Sequence, residues 1–160
     1  MTGVSPAELG SHPFLRGMRA EHVSRLAGIT SAQTVPAGHR FFEEGGRAEH
    51  LWLIRTGCVA LDLHVSGRRP LIIETIVGGQ LIGLSWISPP YEWQYGAEAI
   101  ETTEAFRLGT AALTRLCNDD PELGYQVTRR VMTVVADRLH ATRIRLIDLY
   151  ASPRQRAGSA

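Results

Sequence analysis

The chain has 160 residues, 44% of them apolar and 21% charged, with a formal net charge of +1. That length supplies one domain whose core needs no disulfide or metal staple, and near-neutrality excludes nucleic-acid binding by bulk charge. All 17 basic residues are arginine, so lysine Schiff-base chemistry and a P-loop, which needs its lysine, are excluded as well.

Cys58 and Cys117 stand far apart with no C-x-x-C, the pattern of two reduced thiols in a cytoplasmic protein. Met1–Gly17 carries no basic-then-apolar leader, and no stretch reaches the ~18 apolar residues that cross a bilayer. A cytoplasmic chain with no membrane contact is expected.

In chain order, residues 1–11 read as a flexible arm. Met18–Leu26 has helical spacing at Met18, Val23 and Leu26. From Ile29 short apolar runs are broken about every ten residues by turns at Gly38, Gly45-Gly46, Gly57, Gly67 and Gly78-Gly79, which predicts an all-β roll. Its clearest strands are Trp52–Ile54, Cys58–Val65 and Leu71–Val77; within Val59–Val65 the odd positions are apolar and face inward. Ile100–Leu108 reads as a last strand pair and Gly109–Leu116 as a short helix. Asn118 or Asp119, ahead of Pro121, starts another helix.

Beyond Pro121, apolar residues fall at Leu123, Val127, Val131, Val134, Val135, Leu139, Ile144, Leu146 and Leu149. Those steps predict a helix over 121–150, roughly 45 Å long at ~1.5 Å per residue. It outruns a small roll, so a second copy of itself is the simplest partner, with Val127, Val131, Val134, Val135, Leu139, Leu146 and Leu149 as the dimer interface. Ser152-Pro153 stops the helix and 151–160 reads as a disordered tail. The expected fold is mostly β: a double-stranded β-helix (a jelly roll, cupin-like) over 12–120, with short N-terminal helices and a long C-terminal helix.

A cupin-like roll invites a search for a metal. The six histidines, His12, His22, His39, His50, His64 and His140, contain no His-x-His pair and sit at unrelated points. No Gly-x-Ser-x-Gly elbow occurs, and Glu43-Glu44 lies at a turn as solvated charge. No metal, no cofactor and no catalysis are expected. Ten residues follow Tyr150, against the ~40–60 of a DNA-reading module, so no direct DNA contact is expected. Arg129, Arg130, Arg138, Arg143 and Arg145 alternate with Glu122, Asp137 and Asp148 as a solvated helix face.

The order of elements, with His12-Pro13-Phe14-Leu15, Pro36-Ala37-Gly38, Phe42-Glu43-Glu44-Gly45, Leu51–Val59 and Ala136-Asp137-Arg138-Leu139, resembles the cyclic nucleotide-binding domain. In bacteria that domain is the sensory half of Crp/Fnr-type transcription regulators. The resemblance spans Ser11–Tyr150 and implies a phosphate-binding cassette, Gly-Glu, a helical turn, then Arg-Ser/Thr-Ala. In the cassette, helix-start amides and the Arg meet the cyclic phosphate while the Glu holds the ribose.

By that resemblance the cassette maps onto Gly79–Ile87 and runs on to Trp93-Gln94-Tyr95. Gly83 keeps the glycine, Leu84 stands at the Glu position, Trp93 at the Arg position and Tyr95 at the Ala position, with Ser85, Trp86 and Gln94 beside them. Thr142 aligns with the helix position that reaches the purine. Leucine cannot accept the ribose bond and tryptophan cannot neutralise a phosphate. Losing both contacts, at ~1.5–3 kcal/mol each, weakens a cyclic nucleotide roughly a thousandfold. Three outcomes stay open. The rings of Trp86, Tyr91, Trp93 and Tyr95 plug the pocket, or they wall a site for a flat or apolar small ligand, or Glu92 and Arg69 take over the lost contacts. The resulting expectation is a regulatory homodimer acting through a protein partner.

Overall fold

The computed structural model describes residues 3–151. Three short elements lead in: α1 (Pro6–Gly10), a single 3-10 turn at Pro13–Leu15, and α2 (Ala20–Ala27). Residues 6–10 are therefore not a flexible arm. Ser5 caps α1 by accepting the Glu8 N–H at 3.2 Å, Pro6 occupies the first helical position, and Leu9 is fully buried. Apolar burial anchors a segment whose composition is otherwise that of a loose end.

Eight strands follow: β1 (Thr30–Val35), β2 (Arg40–Phe42), β3 (His50–Thr56), β4 (Cys58–Leu63), β5 (Leu71–Val77), β6 (Leu81–Ile82), β7 (Gly96–Ala99) and β8 (Thr103–Gly109). They form two antiparallel four-stranded sheets, β1-β8-β3-β6 and β2-β7-β4-β5, the jelly roll read from the turn spacing. The last strand pair sits earlier than expected. Ile100 is not in a strand; it lies in the turn between β7 and β8, half exposed at 51%. Gly96, carrying no side chain, gave no strand signal.

The roll interior is built by Trp52, Ile54, Val59, Leu61, Ile76, Ile82, Trp93, Ala97 and Ala105. These are inward positions of strands, at period two, with Trp93 contributed by a loop. Asp62 is a buried carboxylate in an otherwise apolar strand. It is held by a two-pronged bond from Arg40, at 2.7 and 2.9 Å, that passes over Gly96.

His12 ties the lead-in to the roll. Its Nε2–H donates to the Ile54 carbonyl at 2.9 Å and its Nδ1 accepts the Phe14 N–H at 3.2 Å. That pairing defines a neutral imidazole, and burial holds its pKa below the ordinary value.

After β8 come α3 (Thr110–Asp119) and α4 (Pro121–Ala151). The capping residue of α4 is Asp120, not Asn118 or Asp119. Its extended backbone (φ −129°, ψ 93°) breaks the helical run ahead of Pro121, and its carboxylate accepts the Leu123 N–H at 3.1 Å and Arg25 at 2.7 Å. These bonds hold the Asp120 carboxyl below the usual carboxylate range, the Leu123 N–H first among them.

The chain divides at Gly124 into the roll unit and the helix from Tyr125 on. The expected seam on that helix is partly corrected. Val127 and Val131 are buried already in the single chain and Val134 is half-buried, whereas Val135, Leu139, Leu146 and Leu149 are exposed at 41–71%. Joined by the exposed Tyr125, Thr128, Met132 and Thr142, they repeat in unbroken steps of three and four, a heptad stripe. The expected tail beyond Ala151 lies outside the described residues.

Candidate ligand site

The cassette enters through β6 and turns at Gly83, whose φ of +91° suits only glycine. A Cβ there would also lie 2.8 Å from the His50 carbonyl and 3.3 Å from Trp93 Cη2. Leu84 and Ser85 follow, half-buried, and Ser85–Ile87 make one 3-10 turn. The Ser85 hydroxyl accepts the Gln94 N–H at 3.3 Å, joining the two ends of the cassette. Trp86 is half-buried against the roll interior.

Trp93 is pinned by its own backbone. Its N–H donates to Gly46 O at 2.7 Å and its carbonyl accepts the Gly45 N–H at 2.8 Å. Two residues earlier Tyr91, at φ +58°, accepts the Ala48 N–H at 2.9 Å. This short ladder drives the indole inward. It stacks on Phe42 at 3.9 Å between centroids, lies 6.0 Å from Trp52, and is 5% exposed. Phe42 in turn stacks on Trp52 at 5.5 Å, and Phe41 meets Trp52 edge-on at 5.6 Å. Each such pair adds about 0.5–1.5 kcal/mol beyond its buried area.

The aromatic cassette therefore splits. Trp93 and, in part, Trp86 belong to the core, while Tyr91 and Tyr95 are exposed at 53% and 43% and Gln94 is exposed beside them. Glu92 and Arg69 are both exposed; Glu92 pairs with Arg47 through the backbone alone. Thr142 is exposed on the helix, its hydroxyl donating to the Arg138 carbonyl at 2.8 Å. The site thus has hydrogen-bond acceptors and rings, and Trp93, expected from the resemblance at the arginine position, brings a buried indole.

Sequence reasoning missed the Arg40 cluster next to this site. Besides Asp62, Arg40 meets Glu98 at 3.2 Å and Glu43 at 2.8 Å, and those carboxylates raise its already high pKa, the Asp62 bond foremost. The one signal was Asp62 itself, a charge in the middle of an apolar strand.

Against known proteins, the profile of the cyclic nucleotide-binding domain matches residues 32–120, more than half of the chain. The chain belongs to the cyclic nucleotide-binding domain family. It is similar to a solved protein of Geobacter metallireducens GS-15 assigned as cyclic nucleotide-binding, with 26% identity and a TM-score of 0.76, covering 86% of this chain and 99% of that one. Thermus thermophilus catabolite activator protein shares the fold, at 23% identity and a TM-score of 0.68, over 86% of this chain and 63% of that one. Glutaminase 1 of Bradyrhizobium diazoefficiens is 24% identical over 133 residues. The chain spans 82% of its own length in that match but about a fifth (21%) of the glutaminase. No described helix is long and apolar enough to cross a membrane.

Proposed function

We propose that this chain is a regulatory module of the cyclic nucleotide-binding family whose cassette is occupied by its own side chain, so that it does not take cyclic AMP in the usual way and acts through protein contact. One observation carries the reading: the residue at the cassette's arginine position, Trp93, is turned into the core and stacked on Phe42. A phosphate brought there would meet an indole face instead of a guanidinium, and its charge would be desolvated without a partner. Leu84 at the acid position leaves a ribose hydroxyl without an acceptor.

The same reading makes a second copy of the chain the partner of the long helix. The exposed stripe Met132, Val135, Leu139, Leu146 and Leu149 is what a two-stranded coiled coil buries. Thr128 and Thr142 fall in the same stripe, and a parallel, in-register pair sets each against its own mate, polar on polar.

Isothermal calorimetry with cyclic AMP and cyclic GMP tests the proposal. No heat of binding is expected at ligand concentrations of about 100 µM, and an affinity tighter than about 10 µM for either overturns it.

A further inference from the structure

Trp52 on β3 reaches across β8 and donates its indole N–H to Gln33 Oε1 on β1, 2.8 Å away. The crossing is open because the β8 residue between them on that face is Ala105. An indole only donates, so Gln33 is held with its carbonyl toward Trp52 and its amide N–H groups turned outward.

In the next row of the same sheet, Arg107 of β8 lies between Ser31 of β1 and Trp52 of β3. Its Nη2 donates to His50 Nε2 at 2.9 Å. A guanidinium accepts nothing, so His50 is neutral and its proton sits on Nδ1. Burial, and then the Arg107 charge, hold the His50 pKa below its ordinary value.

The result is a half-buried row drawn from three strands and one face and rich in donors: the remaining N–H groups of Arg107, Nδ1–H of His50, the Gln33 amide and the Ser31 hydroxyl, which donates or accepts. The Glu49 carboxylate acts on His50 electrostatically without joining the row. No carboxylate is among the described partners of Arg107, whereas Arg40 on the other sheet has three. A half-buried cation beside further donors is complementary to an anion with several acceptor oxygens.

We infer that Ser31, Gln33, His50 and Arg107 form a binding site for an oxyanion, a phosphate or a carboxylate, which uses other residues than the cassette although its His50 backbone borders Gly83. The oxyanion comes either from a small molecule or from acidic side chains of a protein partner, and Arg107 is its charged anchor. The inference stands whether or not the cassette is occupied by Trp93.

The test is an NMR titration of the isotope-labelled full chain at neutral pH and constant ionic strength, following the Trp52 Nε1–H and Arg107 Nε–H signals. One arm adds inorganic phosphate and the other a glutamate-rich peptide. A saturable shift with phosphate identifies a small-anion site, and saturation with the peptide alone identifies a partner's carboxylates; either supports the site. In both cases R107Q weakens binding at least about tenfold, and R68Q, which removes a charge from the exposed turn between β4 and β5, leaves it unchanged. Should R107Q fail to fold, R107K, which keeps the charge but loses the fork, is expected to weaken binding as well. No saturable shift in either arm, or equal shifts in the folded Arg107 variant and the parent, overturns the inference.

Discussion

The indole of Trp93 lies face to face with the ring of Phe42, 3.9 Å between centroids and 17° between planes. This one stack makes Trp93 part of the roll's core. On the proposed reading its consequence for binding is the loss of a charge; its consequence for stability is a large buried surface. The two can be separated by experiment.

Trp93→Ala removes a nearly buried indole and leaves a space bordered by Phe42 and Trp52. The loss of stability is expected to be about 3–5 kcal/mol, read by denaturant unfolding. Such an apolar space takes a small aromatic, so free indole at millimolar concentration is expected to raise the melting temperature of Trp93→Ala and leave the parent unchanged. A variant that loses less than ~1 kcal/mol, or gains nothing from indole, would mean that the ring is not core.

Gly96 is the second such point. A Cβ there runs into both Arg40 Nη2 and Asp62 Oδ1. Gly96→Ala must push the guanidinium off the carboxylate, or the strand away from its neighbours, at a cost of about 1–3 kcal/mol. Chemical unfolding of the variant checks it. A neutral result would show that the pair slides aside freely.

Acid sensitivity follows from His12. Its pKa is lower in the folded chain than in the unfolded one, so the unfolded chain binds its proton first. The contribution is complete above the unfolded value of about 6.5 and is lost as pH falls below it toward the lowered folded value. His50 is shifted the same way and adds to the same slope. Melting temperature measured by calorimetry is expected to drop below about pH 6.5. His12→Gln is expected to melt lower at neutral pH and with a flatter acid slope. An unchanged slope would remove His12 as its source.

The helix seam makes a prediction about salt. In a parallel pair the seam is flanked by Arg138 of one copy facing Arg143 of the other. Two such like-charge couples oppose the dimer by about 0.5 kcal/mol each, so screening them tightens association by roughly fivefold. Sedimentation equilibrium at low and high salt is the check, with Leu139→Asp expected to give monomer at both. Association that weakens with salt would point to an attractive, acid-flanked partner instead.

Much of the roll was legible because its turns are punctuated by glycine and its strands alternate, as in Val59, Leu61 and Leu63. The long helix was legible from apolar spacing alone. The residues of the proposed seam were not separable from the buried ones, because Val127 and Leu139 look alike in one dimension while only Leu139 is exposed. The α1 segment was lost to its small and polar composition, although Ser5-Pro6 carried a capping signal. At the cassette, the resemblance alone set Leu84 and Trp93 at the acid and arginine positions. Which rings turned inward was not, since that depends on backbone bonds from Gly45 and Gly46, far away in sequence. The donor row of Arg107, His50 and Gln33 has no sequence signature, because strand register alone brings those residues together.

The most direct measurement is a cyclic AMP titration followed on the three indole N–H signals. The account predicts that the Trp93 signal stays in place up to about 1 mM nucleotide. A saturating shift of that signal at about 10 µM or below, with the protein folded throughout, would contradict it.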